Sequence, residues 1–228
     1  GCLLNAQPPF PTGGRHAIGH FVPGLIFGAL AEAAPDKIQA DCGMMDLMTI
    51  QGTHRDGRGI STIYFASGGF GALSGADGGD CVPGPSNMAV VPVEVWETIT
   101  GTTVEKKTMV PDSGGPGAWR GGTGQEVVLR NDTGHPLTIF CMANRTEFPP
   151  LGYLGGKPGA RRVHRLNDTE VDAKGSYILA PGDRIAMTEA GGGGIGDPKD
   201  REPALIERDI ALGRVTKEGA ARDYGFGG

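Results

Sequence analysis

Glu126-Val127-Val128-Leu129-Arg130-Asn131-Asp132-Thr133-Gly134-His135-Pro136-Leu137-Thr138-Ile139-Phe140-Cys141-Met142-Ala143 holds two short apolar, β-branched runs divided by a polar turn. Asn131, Asp132 and Gly134 tolerate the backbone that a tight turn needs, so the segment predicts strand, turn, strand. Outward from it the pattern repeats over residues 87–190. Val90–Thr100, Thr103–Val110, Arg161–Leu166 and Arg184–Thr188 are further strand-like runs, and Pro181-Gly182-Asp183 is a second turn. Together these runs predict a sandwich or barrel. Two more apolar runs, 46–51 and 60–67, lie upstream.

Helical signals flank this region. Ile18, Phe21, Val22, Leu25, Ile26, Ala29, Leu30 and Ala33 recur at three- and four-residue spacing, the stripe of an amphipathic helix ending near Ala34-Pro35, with Pro23 at its start or at a kink. Pro203–Leu212, stopped by Gly213, and Thr216–Tyr224, with Thr216 as N-cap and Gly225 closing it, predict two short helices near the other end. The expected class is α+β: a β-rich sandwich or barrel-like core with an amino-terminal helix and a short helical carboxy-terminal tail. The segments 1–86, 87–190 and 191–228 are expected to form one continuous domain.

Glycine dominates the composition. The chain has 41 glycines and 17 prolines in 228 residues, where glycine is usually about 7%. No three-residue repeat is present, which excludes collagen, and interrupting apolar segments argue against disorder. The formal net charge of −5 speaks against nucleic acid and anionic membranes as partners. No apolar run approaches a membrane span and no signal peptide is visible, so a cytoplasmic location is expected. Cys2, Cys42, Cys81 and Cys141 are scattered and read as reduced, structural thiols. The chain opens Gly1-Cys2-Leu3-Leu4-Asn5 without a methionine, as a piece of something longer would.

Pro111-Asp112-Ser113-Gly114-Gly115-Pro116 looks like the nucleophile motif of a chymotrypsin-like protease. That chemistry needs a backbone N–H just before the Asp-Ser pair as an oxyanion donor, and Pro111 has none. Other candidate residues are sparser. His16 and His20 have the spacing of a metal pair, but no carboxylate accompanies them in the order a zinc helix needs. His54-Arg55-Asp56 is a polar turn that could hold a base. Glu94 alternates with apolar neighbours in Val93-Glu94-Val95-Trp96, which on a strand would bury an acid. Asp112 and Arg120 flank a glycine turn and could pair across it or face a substrate. Gly191–Gly194 could cradle a phosphate, yet it lacks the lysine and hydroxyl of a nucleotide loop, and a tight backbone passage is the expected role.

An ordered set of motifs then resembles the carboxy-terminal half of the hydantoinase B/oxoprolinase family. It runs from Leu4-Asn5 with Pro8-Pro9, through Gly28-Ala29-Leu30, Gly68-Gly69-Phe70-Gly71-Ala72 and Gly75-Ala76-Asp77-Gly78, to Asn87 with Pro92-Val93-Glu94-Val95. It continues in Pro111–Gly117, Arg120–Gln125, Pro181-Gly182-Asp183, Gly191–Gly194 with Gly196-Asp197-Pro198, and Arg208-Asp209-Ile210 through Tyr224-Gly225. The resemblance implies ATP-driven opening of a cyclic amide, or ATP-driven carboxylation of a ketone, by two subunit types. It places ATP on an A-type partner and a metal, in some members, in the amino-terminal half of the B-type subunit, whose histidine and aspartate motifs this chain lacks. No cofactor or metal is expected on this segment itself. The expected partners are the A-type subunit and the missing amino-terminal half, in an oligomer. His20, Glu94, Asp112 and Arg120 are the candidate polar residues nearest the site. A catalytically inert assembly domain is the alternative.

Overall fold

The computed structural model describes residues 5–10, 18–86, 88 and 90–227. Cys2, His16 and Asn87 lie outside them. Among the described residues, nine strands make two antiparallel sheets. The first has the order β2-β1-β5-β8, from β1 (Met45–Thr53), β2 (Gly59–Ser67), β5 (Leu137–Cys141) and β8 (Ser176–Leu179). The second has the order β3-β4-β9-β6-β7, from β3 (Thr103–Met109), β4 (Gln125–Arg130), β6 (Val163–Leu166), β7 (Thr169–Val171) and β9 (Arg184–Thr188). The turn at Asn131–Gly134 carries the chain from one sheet to the other. Gly134 and Gly182 take the positive φ that their turns require, 78° and 90°.

Strand alternation builds the core. Met48, Ile50 and Tyr64 from the first sheet meet Val127, Leu129, Ile185 and Met187 from the second in one buried cluster. Trp96 joins the cluster, its ring edge-on to Tyr64 at 4.7 Å, with its indole N–H donated to Thr102 Oγ1 at 2.9 Å.

Trp96 belongs to a helix, α2 (Val93–Thr100), where a strand over Val90–Thr100 is expected from alternation. The buried side chains are Trp96 and Thr100, four apart, whereas Glu94 and Val95 are exposed. That is a helical period, and Gly101 stops it in the left-handed conformation at φ 70°. Two strands, β7 and β8, are absent from the expected set. Both are short, and β8 keeps only Leu179 buried.

The predicted amino-terminal helix is present as α1 (Phe21–Leu30), with Pro23 in its first turn. Its packing is the reverse of a simple amphipathic reading. The glycines face inward: a Cβ on Gly24 would meet Asp41, and one on Gly28 would meet the Tyr153 ring, whose hydroxyl donates to the Gly24 carbonyl at 3.0 Å. Leu25, Ile26 and Leu30 point outward and are exposed. The other helices, α3 (Pro203–Ala211) and α4 (Lys217–Tyr224), form as the sequence predicts. Thr216 caps α4 by accepting from Gly219 N at 2.9 Å, and Gly225 closes it.

The glycine clusters assemble into a second core with no regular secondary structure. Gly191–Gly194 runs through its centre. Its four successive amides donate to the carbonyls of Ala160, Gly122, Asp41 and Lys157, at 3.2, 2.9, 2.8 and 3.0 Å. The Gly192, Gly193 and Gly194 carbonyls accept from Gly115, Ala72 and Tyr153. An extended backbone is thereby satisfied in several directions at once, which needs neighbours too close for side chains, as at the axis of collagen. A Cβ on Gly122 would lie 1.9 Å from the Gly79 carbonyl oxygen.

Candidate functional site

β1 and β2 of the first sheet, with His20 just before α1, form an open pocket of about 420 Å³, lined by His20, Met45, Leu47, Ile63, Phe65, Ser86 and Met88. Met45 and Leu47 alternate with Asp46 and Met48 along β1, so one face of the strand forms the pocket floor and the other enters the core. The volume and apolar lining suit a small organic ring. His20 and Ser86 are its polar members, and His20 also borders a narrow crevice lined by Asp41 and Cys42. Of the four candidate residues from the sequence, His20 is the one that lines this pocket.

The other three sit elsewhere. Glu94 is exposed on the first turn of α2 rather than buried in a strand, because the helical period turns it away from Trp96. Asp112 does not pair with Arg120. It accepts from Thr216 N at 2.8 Å and Thr216 Oγ1 at 2.6 Å, so it pins the start of α4, at a φ of 59°. Arg120 is buried and donates from Nε to Asp209 at 3.1 Å and from Nη1 to Asp80 at 3.2 Å. Arg201 bridges Asp77 and Asp209 beside it, and Arg214 reaches Asp80 at 2.6 Å. This network fastens α3 and α4 to the glycine core.

The remaining motifs also resolve. Ser113 Oγ is buried, donates to the Val110 carbonyl and accepts from Gly124 N, so it is a structural hydroxyl. His54 is buried against Asp56 at 2.8 Å, inside its own turn. Gly191–Gly194 has no amide left for a phosphate, since all four already donate to carbonyls.

Behind the pocket floor lies a charged group that composition and motif reading miss. Asp46, Arg162, His164 and Glu189 are fully buried between the sheets. His164 Nε2 lies 2.6 Å from Asp46 Oδ2, and Arg162 Nε donates to Glu189 Oε2 at 2.6 Å. Arg162 also donates to the carbonyls of Gly43, Met44 and Asn144, at 3.0, 3.3 and 2.8 Å. The signal was available: Asp46 sits in the apolar run Met44-Met45-Asp46-Leu47-Met48, and an acid there must be paired.

Burial opposes the charge on His164, but its hydrogen bond to Asp46 and the neighbouring carboxylates carry it up to about 10. Burial likewise opposes ionisation of Asp46, and Arg162 and His164 overcome it and hold Asp46 below the ordinary range. Donor atoms of Asp46, His164 and Glu189 come within 4.8 Å of one another, as metal ligands would. In this arrangement Arg162 supplies the positive charge to Glu189, and His164 Nε2 is engaged by Asp46.

The signs give a pH window. The folded value for His164 is above the unfolded one near 6.5, so its stabilisation is complete below about 6.5 and fades as pH rises through about 10. Asp46 contributes the opposite limb, lost as pH falls below the ordinary carboxylate range. Urea midpoints measured from pH 6.5 to 10 should fall for the wild-type chain and stay flatter for His164→Gln. Parallel profiles would contradict the buried imidazolium.

Comparison with known proteins places this geometry. Residues 1–198 match the family model described as hydantoinase B/oxoprolinase. The subunit beta of caprolactamase from Pseudomonas jessenii is 30% identical over 246 residues, covering 99% of this chain and 42% of the relative. The chain therefore spans about two fifths of that relative's length. In solved structures, the ATP-dependent caprolactamase of P. jessenii superposes with a TM-score of 0.72 at 24% identity, covering 86% of this chain and 37% of that one. Nucleotide-free acetone carboxylase gives 0.65 at 22% identity, covering 82% and 30%. The β-sandwich and its glycine core are thus a fold shared with larger ATP-dependent enzymes, and the chain belongs to the hydantoinase B/oxoprolinase family.

Proposed function

We propose that this chain is the carboxy-terminal part of a B-type subunit in an ATP-dependent cyclic-amide hydrolase, acting with an ATP-binding A-type partner. The observation that carries this reading is the match along 99% of the chain to a caprolactamase subunit, together with an apolar pocket of ring size beside His20. A lactam is a poor electrophile, and transfer of a phosphoryl group to its oxygen creates an activated carbon that water can attack. In this reading ATP belongs to the partner, and the Gly191–Gly194 amides, each donating to a backbone carbonyl, offer it no phosphate cradle here.

In this reading the chain supplies the ring's surroundings. Met45, Leu47 and Phe65 bury the methylene face of the substrate and exclude water from it. His20, the one titratable side chain among the described residues that line the pocket, orients the reacting amide or holds a proton near its nitrogen. A cytoplasmic location accords with the free thiols Cys42, Cys81 and Cys141, of which two are buried.

In the complete complex, His20→Ala should lower kcat/KM for a ring amide by roughly 100-fold, the scale of a lost acid–base group, with the melting temperature unchanged. Unaltered kinetics would remove His20 from the site. Turnover with acetone and bicarbonate, and none with caprolactam, hydantoin or 5-oxoproline, would replace the hydrolase reading with the ketone carboxylase one.

A further inference from the structure

The two sheets differ on their outer faces. The second sheet is laced with ion pairs: Lys106 with Glu126, Arg130 and Arg184 with Glu105, and Arg161 with Glu170. Such a face is at home in water. The register of the first sheet puts Ile63, Phe140 and Ile178 on one outer surface, at 42, 40 and 68% exposure, with no charged partner among them. The pocket beside His20 opens onto the same surface through Ile63, and His20 leads into α1, on which Leu25 and Ile26 are exposed at 71% and 52%. An antiparallel sheet tolerates one apolar face only when something covers it.

We propose that this surface, the outer face of β2-β1-β5-β8 with the outward side of α1, is the seat of the rest of the B-type subunit. The relatives supply the occupant's size: more than half of the caprolactamase subunit lies outside the match. Chemistry supplies its kind. The face carries no charge, and its apolar side chains alternate with neutral Thr49, Gln51, Ser61, Thr138 and Ser176, a makeup depleted in charge as the buried centre of an interface is. The occupant therefore presents an apolar, uncharged face, and covering the pocket mouth completes the site. This inference rests on membership of the family and not on the amide-opening reading, so it survives if the substrate proves to be a ketone.

The test mixes the purified chain with the portion of the P. jessenii caprolactamase subunit beta that lies outside the match, followed by light scattering and fluorescence titration. A one-to-one complex is expected. Phe140→Lys with Ile178→Lys should weaken it by at least roughly 100-fold, the scale of two lost apolar anchors. Leu25→Lys should weaken it as well, and Arg184→Ala on the charged sheet should leave it unchanged. These side chains are exposed, so melting temperatures should match the wild-type chain and separate lost binding from lost folding. The inference is overturned by the absence of a complex, or by one indifferent to the double substitution. It is equally overturned if the same surface pairs two copies of this chain, or takes up the ATP-binding subunit in place of the missing portion.

Discussion

Gly122→Ala is expected to abolish the folded chain. The added methyl group would sit 1.9 Å from the Gly79 carbonyl oxygen and 2.9 Å from Phe70 N, two backbone atoms joined to each other by a hydrogen bond in which Phe70 N donates at 3.0 Å. No rotamer can relieve a clash between main chains, so relief requires parting the glycine core. The cost should exceed about 4–5 kcal/mol, the range reserved for such failures and comparable to a whole domain's stability. Gly59→Ala is the matched control: nothing lies within 4 Å of its Cβ and its φ is ordinary. It should change stability by no more than about 0.5 kcal/mol. Denaturant unfolding of the two variants decides the matter, and a near-native midpoint for Gly122→Ala would show that the glycine core is not packed as described.

Removing Arg162 is the second large effect. The guanidinium serves Glu189 and three carbonyls at once. Arg162→Met keeps much of the volume and strands a buried carboxylate, an error that costs about 3–5 kcal/mol. Glu189→Gln added to Arg162→Met removes the stranded charge and should return part of that loss. The double-mutant cycle should therefore show strong coupling. Additive losses would mean that the two side chains are not a pair. Burial already pushes Glu189 up to about 7 with Arg162 present, so the loss in Arg162→Met should be largest at alkaline pH and shrink below about 7, where the carboxyl takes up a proton.

Much of the architecture is legible in the sequence. Turn chemistry at Asn131–Gly134 and Pro181–Asp183 set strand boundaries, and Thr216 and Gly225 framed α4, because local backbone preference decides such positions. The Val93–Thr100 segment misled because alternation and helical period coincide over four residues, and only the buried spacing of Trp96 and Thr100 separates them. The stripe on α1 was real, but a stripe does not tell which side packs. Gly24 and Gly28 allow a closer approach than Leu25 or Ile26 would.

The site was less legible. Asp112 and Arg120 stand out in the sequence as polar residues in a glycine setting, and in the structure both hold the terminal helices in place. Pockets and buried charge groups depend on non-local pairing, as where Asp46 of β1 meets His164 of β6. One rule applied to Glu94 finds the right residue when moved to Asp46: an acid in an apolar strand demands a partner. The difference is that Asp46 is on a strand and Glu94 is not.

The most direct measurement is ADP release by the complete two-subunit complex containing this chain, with caprolactam, hydantoin and 5-oxoproline each supplied in turn. ADP formation that depends on one of these rings, matched by equal ring opening and absent without ATP, is the predicted result. An assembled, folded complex that releases no ADP with any ring amide, or that opens the ring without ATP, would contradict the account.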